Sequence, residues 1–295
     1  MTRHLIHVGY AKAGSTYLQA WFARHPQLRY IEGGLGGFRD AYQLTRHAVA
    51  PLPEPRWAVT SYEGFSAPLP TAGAIGADYG EHGAPIAARQ ERACHLLGGL
   101  FPGAHILIVT RGFRAMILSS FSQYARSGGQ ADIEDMVREA RTDHPWCYDD
   151  IAALYRAQFG EDRVILLPYE LLECDPERFL GELARRLDIA PEPPLAERLN
   201  PKISGVEMRW YPRLTRAIDR LPLPGRIHRR LRRAYVKRAF DNRLKVPIRW
   251  LQRLSAQPPV DANVIPAETL ERFRGMAASL SCDPLFAPFA DDYLF

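Results

Sequence analysis

Four short apolar runs constrain this chain most: "LIHV" at 5–8, "WAVT" at 57–60, "HILIVT" at 105–110 and "RVILLP" at 163–168. Each is strand-length, β-branched or leucine-rich. Each is continuous rather than alternating, which suits a strand buried on both faces, as in a parallel sheet. Helical patterns separate them. "STYLQAWFARH" follows the first run, and "APIAARQERACHLLGGLF" precedes the third. "FRAMILSSFSQYARSGG" follows the third and stops at a Gly pair. After the fourth comes "DPERFLGELARRLDI", with Asp175 as N-cap and Pro176 at the first helical position. This alternation predicts an α/β fold, a parallel sheet flanked by helices with right-handed crossovers.

From about residue 205 the pattern is helical only, basic and broken by prolines. The chain has no internal repeat and no low-complexity linker. The expectation is a single domain over 1–295, with an α/β core of about 1–200 and a helical C-terminal extension of about 205–295. Its 295 residues, 46% hydrophobic and 24% charged, suit a sizeable core and exclude wholesale disorder. A net charge of +5 favours anionic ligands and is too mild to indicate a nucleic-acid binder. Cys94, Cys147, Cys174 and Cys282 form no C-x-x-C pair, so the expectation is reduced thiols in a cytoplasmic protein, without a zinc or redox motif. "MTRHLIHV" lacks the apolar run of a signal peptide, and no stretch is long enough for a membrane span.

"GYAKAGST", residues 9–16, lies between the first strand and the first helix, where an open α/β sheet binds its ligands. Gly9 and Gly14 bracket four residues, as in a P-loop. Loop N–H groups and the helix N-terminus attract phosphate, and the Ser15 and Thr16 hydroxyls add donors. The plain alternative is a glycine turn with a Ser/Thr cap. An NTPase loop needs Lys directly after the second Gly; Ser15 stands there, and the lysine, Lys12, lies inside the loop. Lys12 then approaches the phosphate from the loop mouth, where it can stabilise charge on a leaving phosphate.

"YAKAGSTYLQ" resembles the 5′-phosphosulfate loop of sulfotransferases that use PAPS (3′-phosphoadenosine 5′-phosphosulfate). The resemblance implies that Lys12, Ala13, Gly14, Ser15 and Thr16 bind the phosphosulfate and that Lys12 assists catalysis. Ala11 stands where the family usually has Pro. A second match is "VTRGFRAMILSSFSQYARSGG". The family's 3′-phosphate is held by an Arg at a strand end and a Ser on the next helix, here Arg111 and Ser119, eight residues apart. Phe113 replaces the family's usual proline, and Arg126 with Ser127 and Gly128 continues its pattern. In "RVILLPYELLECDPERFL", Tyr169 corresponds to a tyrosine near the adenine in some members; capping the strand end is its plainer role. These matches cover roughly residues 4–190.

Sulfuryl transfer to a hydroxyl or amine needs a base. Glu63, just past the second apolar run in "VTSYEGFSAP", is the choice, because carbohydrate-type members commonly use a glutamate. His82 in "YGEHGAP" is the alternative; His7 and His105 lie on strands and read as core residues. No His/Asp/Glu cluster has metal-ligand spacing, and PAPS chemistry requires no metal. The implied activity is sulfuryl transfer from PAPS, leaving PAP, to a carbohydrate, lipid or other small-molecule acceptor. Its rivals are a nucleotide kinase or NTPase, and a non-catalytic nucleotide- and glycan- or membrane-binding module. Residues 226–253, with many Arg and Lys and only one acid, Asp241, read either as solvated basic faces or as a surface for an acidic glycan, a membrane or the cofactor's mouth. Lys202 and Ser204 lie in a loop that could close over the nucleotide, without a spacing rule to support it.

Overall fold

All four apolar runs form strands in the computed structural model, which describes residues 3–40, 42–43, 56–66, 85–139, 144–196, 203–255 and 258–295. They are β1 (Arg3–His7), β3 (Trp57–Ser61), β4 (His105–Thr110) and β5 (Val164–Pro168); β2 (Leu28–Arg29) adds a short edge. The order is β2-β3-β1-β4-β5, every neighbouring pair parallel. Every residue of β3 and β5 is buried, which is why their apolar pattern is unbroken.

Helices follow in chain order. They are α1 (Ser15–Arg24), α2 (Ile86–Leu100), α3 (Phe113–Arg126), α4 (Ile133–Glu139) and α5 (Tyr148–Phe159). Then come α6 (Tyr169–Cys174), α7 (Pro176–Leu187), α8 (Gly205–Asp219), α9 (Gly225–Phe240) and α10 (Lys245–Arg253). The chain forms two compact units: Met1–Gly112 with Thr142–Asn200 and Phe273–Phe295, and Phe113–Arg141 with Pro201–Arg272.

The first unit holds the sheet. α5 buries Tyr148, Ile151, Ala152, Tyr155 and Phe159, a helical stripe that packs on β4, β5 and α2. The predicted cap of α7 is present: Asp175 Oδ1 accepts from Arg178 N at 3.0 Å, with Pro176 in the first turn. The end of this helix and the residues just after it secure the edge of the sheet. Leu187 O accepts from Trp57 Nε1 at 2.9 Å, and Ala190 N donates to Gln27 Oε1 at 2.6 Å. The terminal segment Phe273–Phe295 also belongs to this unit, with Tyr293 fully buried.

The second unit is helical. Ser204 and Glu207 form a capping box that starts α8. Glu207 Oε1 also accepts from Tyr211 OH at 3.0 Å, and Tyr235 OH donates to Tyr211 O at 2.8 Å. Arg209–Glu134 (2.6 Å) and Arg216–Asp132 (3.0 Å) add charged contacts.

Candidate active site

The loop Gly9–Thr16 leaves β1 and enters α1. Two residues hold left-handed backbone angles, Lys12 (φ 70) and Gly14 (φ 82). Gly14 is the N-cap of α1; no side chain caps that helix, and no acid lies in its first turn. A helix start of this kind presents N–H groups and a positive dipole end suited to an anion. The φ favours glycine there, and a Cβ on Gly14 would lie 2.7 Å from Leu172 Cδ2 and 3.2 Å from Tyr169 Cδ2, so those side chains would have to shift.

The loop is braced from behind. Ala13 N donates to Tyr10 O at 3.1 Å, and Tyr10 OH donates to Pro145 O at 2.8 Å. Ser15 is buried and its hydroxyl donates to Tyr10 O at 3.3 Å, the loose end of the hydrogen-bond range. His7 is fully buried beneath Gly9. Its Nδ1 meets Ser61 Oγ at 2.8 Å, where Gln19 Nε2 also donates at 3.1 Å. Burial lowers the His7 pKa to about 4, so its ring is neutral near pH 7.

Glu63 opens a short 3₁₀ turn, Glu63–Phe65, directly after β3, and is half-buried. His7 pairs with Ser61 in the β1–β3 ladder, so Gly9 and Glu63 leave the same end of adjacent strands at the same offset. Ser66 Oγ links them: it donates to Gly9 O at 2.7 Å, with Glu63 O at 3.1 Å.

Arg111 directly follows β4 and reaches this loop. Its Nη1 donates to Lys12 O at 2.5 Å, and its guanidinium lies 4.4 Å over the Tyr169 ring. Arg111 is 5% exposed and its Nε has no hydrogen-bond partner. The backbone beneath it is held by Tyr148 OH, which donates to Arg111 O at 2.6 Å. One residue on, Gly112 N donates to Glu170 Oε1 at 2.9 Å, and Tyr293 OH donates to Glu170 Oε2 at 2.9 Å. Burial raises the Glu170 pKa, an effect that the Gly112 N–H partly opposes.

Lys12, Gly14, Arg111 and Tyr169 therefore converge, with Ala13 and Ser15 buried under them and Thr16 exposed. Ser119 lies on α3 in the helical unit, half-buried. Arg126, also buried there, donates to Asn242 Oδ1 at 2.9 Å. His82 and Lys202 lie outside the described residues. No sequence pattern marks Ser66, Tyr148, Glu170 or Tyr293 as supports of the site, since the partners they brace are remote along the chain. Among the described residues no group of three or more His, Cys, Asp or Glu side chains could hold a metal, and no helix is long and apolar enough to cross a membrane.

No curated protein matches the chain. Among solved structures, a sulfotransferase from Alicyclobacillus acidocaldarius aligns at 17% identity over 68% of this chain and 87% of its own, with a TM-score of 0.46. Mouse sulfotransferase SULT7A1, complexed with PAP, aligns at 12% identity over 99% of this chain and 88% of its own, with a TM-score of 0.43. The family model described as "Sulfotransferase family" matches residues 39–193, a span that carries Glu63, Arg111, Ser119 and Tyr169. That match covers more than half of the sequence, and the chain belongs to the sulfotransferase family.

Proposed function

We propose that the protein transfers the sulfuryl group of PAPS to a hydroxyl or amine of a carbohydrate, lipid or other small-molecule acceptor. The observation that carries this reading is Arg111, a buried cation brought onto the glycine loop with its Nε unpartnered. A buried unpaired donor of this kind fits an anionic ligand. The uncapped start of α1 and the half-buried Lys12 fit a second anionic group. Bound here, PAPS would supply an activated sulfuryl group on a phosphate leaving group.

The chain's residues divide the work. The Lys12 ammonium and the first-turn N–H groups of α1 offset negative charge at the 5′-phosphate. Ser15 can exchange its loose bond to Tyr10 O for a phosphate oxygen. Arg111 offers a planar fork to the 3′-phosphate, with Ser119 assigned as the second contact from the sequence match. Tyr169, already under Arg111, is assigned beside the adenine. Glu63 removes the acceptor's proton. No metal is needed for any of these roles.

Radiolabelled PAPS with a panel of sugars, lipids and phenols tests the reading on wild type, Lys12→Ala and Glu63→Gln. The expected losses in kcat are about 10²–10³-fold for Lys12→Ala and about 10²–10⁴-fold for Glu63→Gln. Glu63→Gln should still be stabilised by PAP. Stabilisation by ATP only with Mg²⁺ would favour a kinase. PAP binding without transfer to any acceptor would favour a binding module.

A further inference from the structure

The basic helices of the second unit are not used by this chemistry. Residues 226–253 carry eleven Arg and Lys against one acid, Asp241, while the whole chain has a net charge of +5. On α9, Tyr235 and Ala239 are buried. Arg226, Arg230, Arg233 and Lys237 are all exposed and recur at i, i+4, i+7 and i+11, so they form one stripe on the opposite face. Among the described residues no carboxylate pairs with any of the four. Asp219 meets His228 and Arg232, and Asp241 meets Arg243.

α10 is amphipathic in an unusual sense. Ile248 is its one buried residue, at 1% exposure. Val246 (66% exposed), Trp250 (62%) and Leu254 (86%) recur at i, i+4 and i+8 on the side away from Ile248. Arg249 and Arg253 are exposed beside them, and the Arg253 guanidinium lies 5.2 Å over the Trp250 ring. An apolar stripe of this exposure, rimmed by cations, marks an interaction surface.

We propose that α10 docks on an anionic lipid bilayer, with Val246, Trp250 and Leu254 entering the headgroup–acyl boundary and the cations of α9 and α10 supplying the attraction. Charge complementarity selects this occupant. A symmetric contact with a second copy would bring Arg against Arg. A polyanion without an apolar layer, such as an acidic glycan or a nucleic acid, would leave Val246 and Leu254 in water. A bilayer satisfies both parts, because Trp suits the interface and cations gain from anionic headgroups. None of these residues is assigned a role in transfer, so the test does not depend on that assignment.

The experiment is co-sedimentation of the full chain with vesicles of phosphatidylcholine alone, or of phosphatidylcholine and phosphatidylglycerol in equal parts. Wild type should sediment with the mixed vesicles and stay in solution with the neutral ones. Arg249→Ser with Arg253→Ser should weaken partitioning about fivefold per residue. Val246→Ser with Trp250→Ser and Leu254→Ser should weaken it about tenfold or more, because the apolar area is lost. All these positions are exposed, so unfolding temperature should hold, which separates lost docking from lost folding. Brominated acyl chains should quench wild-type fluorescence, and Trp250→Phe should remove that quenching. Equal sedimentation with neutral vesicles, undiminished binding of the apolar triple variant, or absent quenching would overturn the proposal. So would a wild-type dimer that the triple variant converts to monomer without any change in vesicle binding.

Discussion

Arg111 is 5% exposed, yet its Nε reaches no acceptor. Its Nη1 is spent on Lys12 O, and one face of the guanidinium is covered by Tyr169. Nε is thus a buried donor of a charged group with no acceptor, which costs free energy unless an anion meets it. Lysine at this position keeps the charge and loses the fork and the ring contact. Arg111→Lys should therefore weaken PAP binding by about 10–100-fold in calorimetry. Tyr169→Phe keeps the ring under the guanidinium and should bind PAP within about twofold of wild type. Unchanged PAP affinity in Arg111→Lys would remove Arg111 from the nucleotide site. The sequence makes Arg111 conspicuous because it ends an apolar run. It hides the supports: Tyr148 lies 37 residues away, and Tyr293 meets Glu170 across 123 residues.

The element that matters most is the turn from β1 into α1. Gly14 adopts φ 82, and a Cβ there would press on Leu172 and Tyr169. Gly14→Ala should cost about 1–2 kcal/mol from backbone strain alone and should also abolish stabilisation by PAP, because the helix start shifts. The Asp175 cap of α7 is a matched control. Asp175→Ala should cost about 1 kcal/mol and leave the PAP response intact, since the Asp175 side chain bonds Arg178 N in its own turn and is assigned no ligand contact. Thermal melts with and without PAP distinguish the two; a normal PAP response in Gly14→Ala would count against the loop as the anion site. The Gly, Pro and Asp positions of both turns are legible in sequence. β2 is not, because two residues carry no periodicity and are defined by their pairing with Trp57 and Ala58.

Stability of the whole molecule should depend on pH through the buried His7 and the half-buried His4 and His105. His7 is depressed to about 4 from the ordinary 6.5 by burial, and burial lowers His4 and His105 in the same direction. Between these values the unfolded chain binds the proton and the folded chain does not. The contribution is complete above pH 6.5 and is lost as pH falls toward about 4. For His7 it amounts to roughly 3–4 kcal/mol, from about 1.4 kcal/mol per pKa unit. His7→Asn should flatten the fall in unfolding temperature over that window; an unchanged slope would show that His7 is solvated in the folded state.

The alternation of apolar runs and helices determined the parallel sheet, because continuous burial of a strand on both faces leaves no other pattern. The placement of Lys12 determined that the glycine loop is not built like an NTPase loop. Only the tertiary structure decided that Arg111 meets the Lys12 carbonyl and the Tyr169 ring, that Ser66 links Gly9 to the Glu63 turn, and that Phe273–Phe295 returns to the sheet unit. It also decided that Ile248 is covered while Val246, Trp250 and Leu254 are not. Periodicity records which residues share a face; only packing between distant segments settles which face meets water.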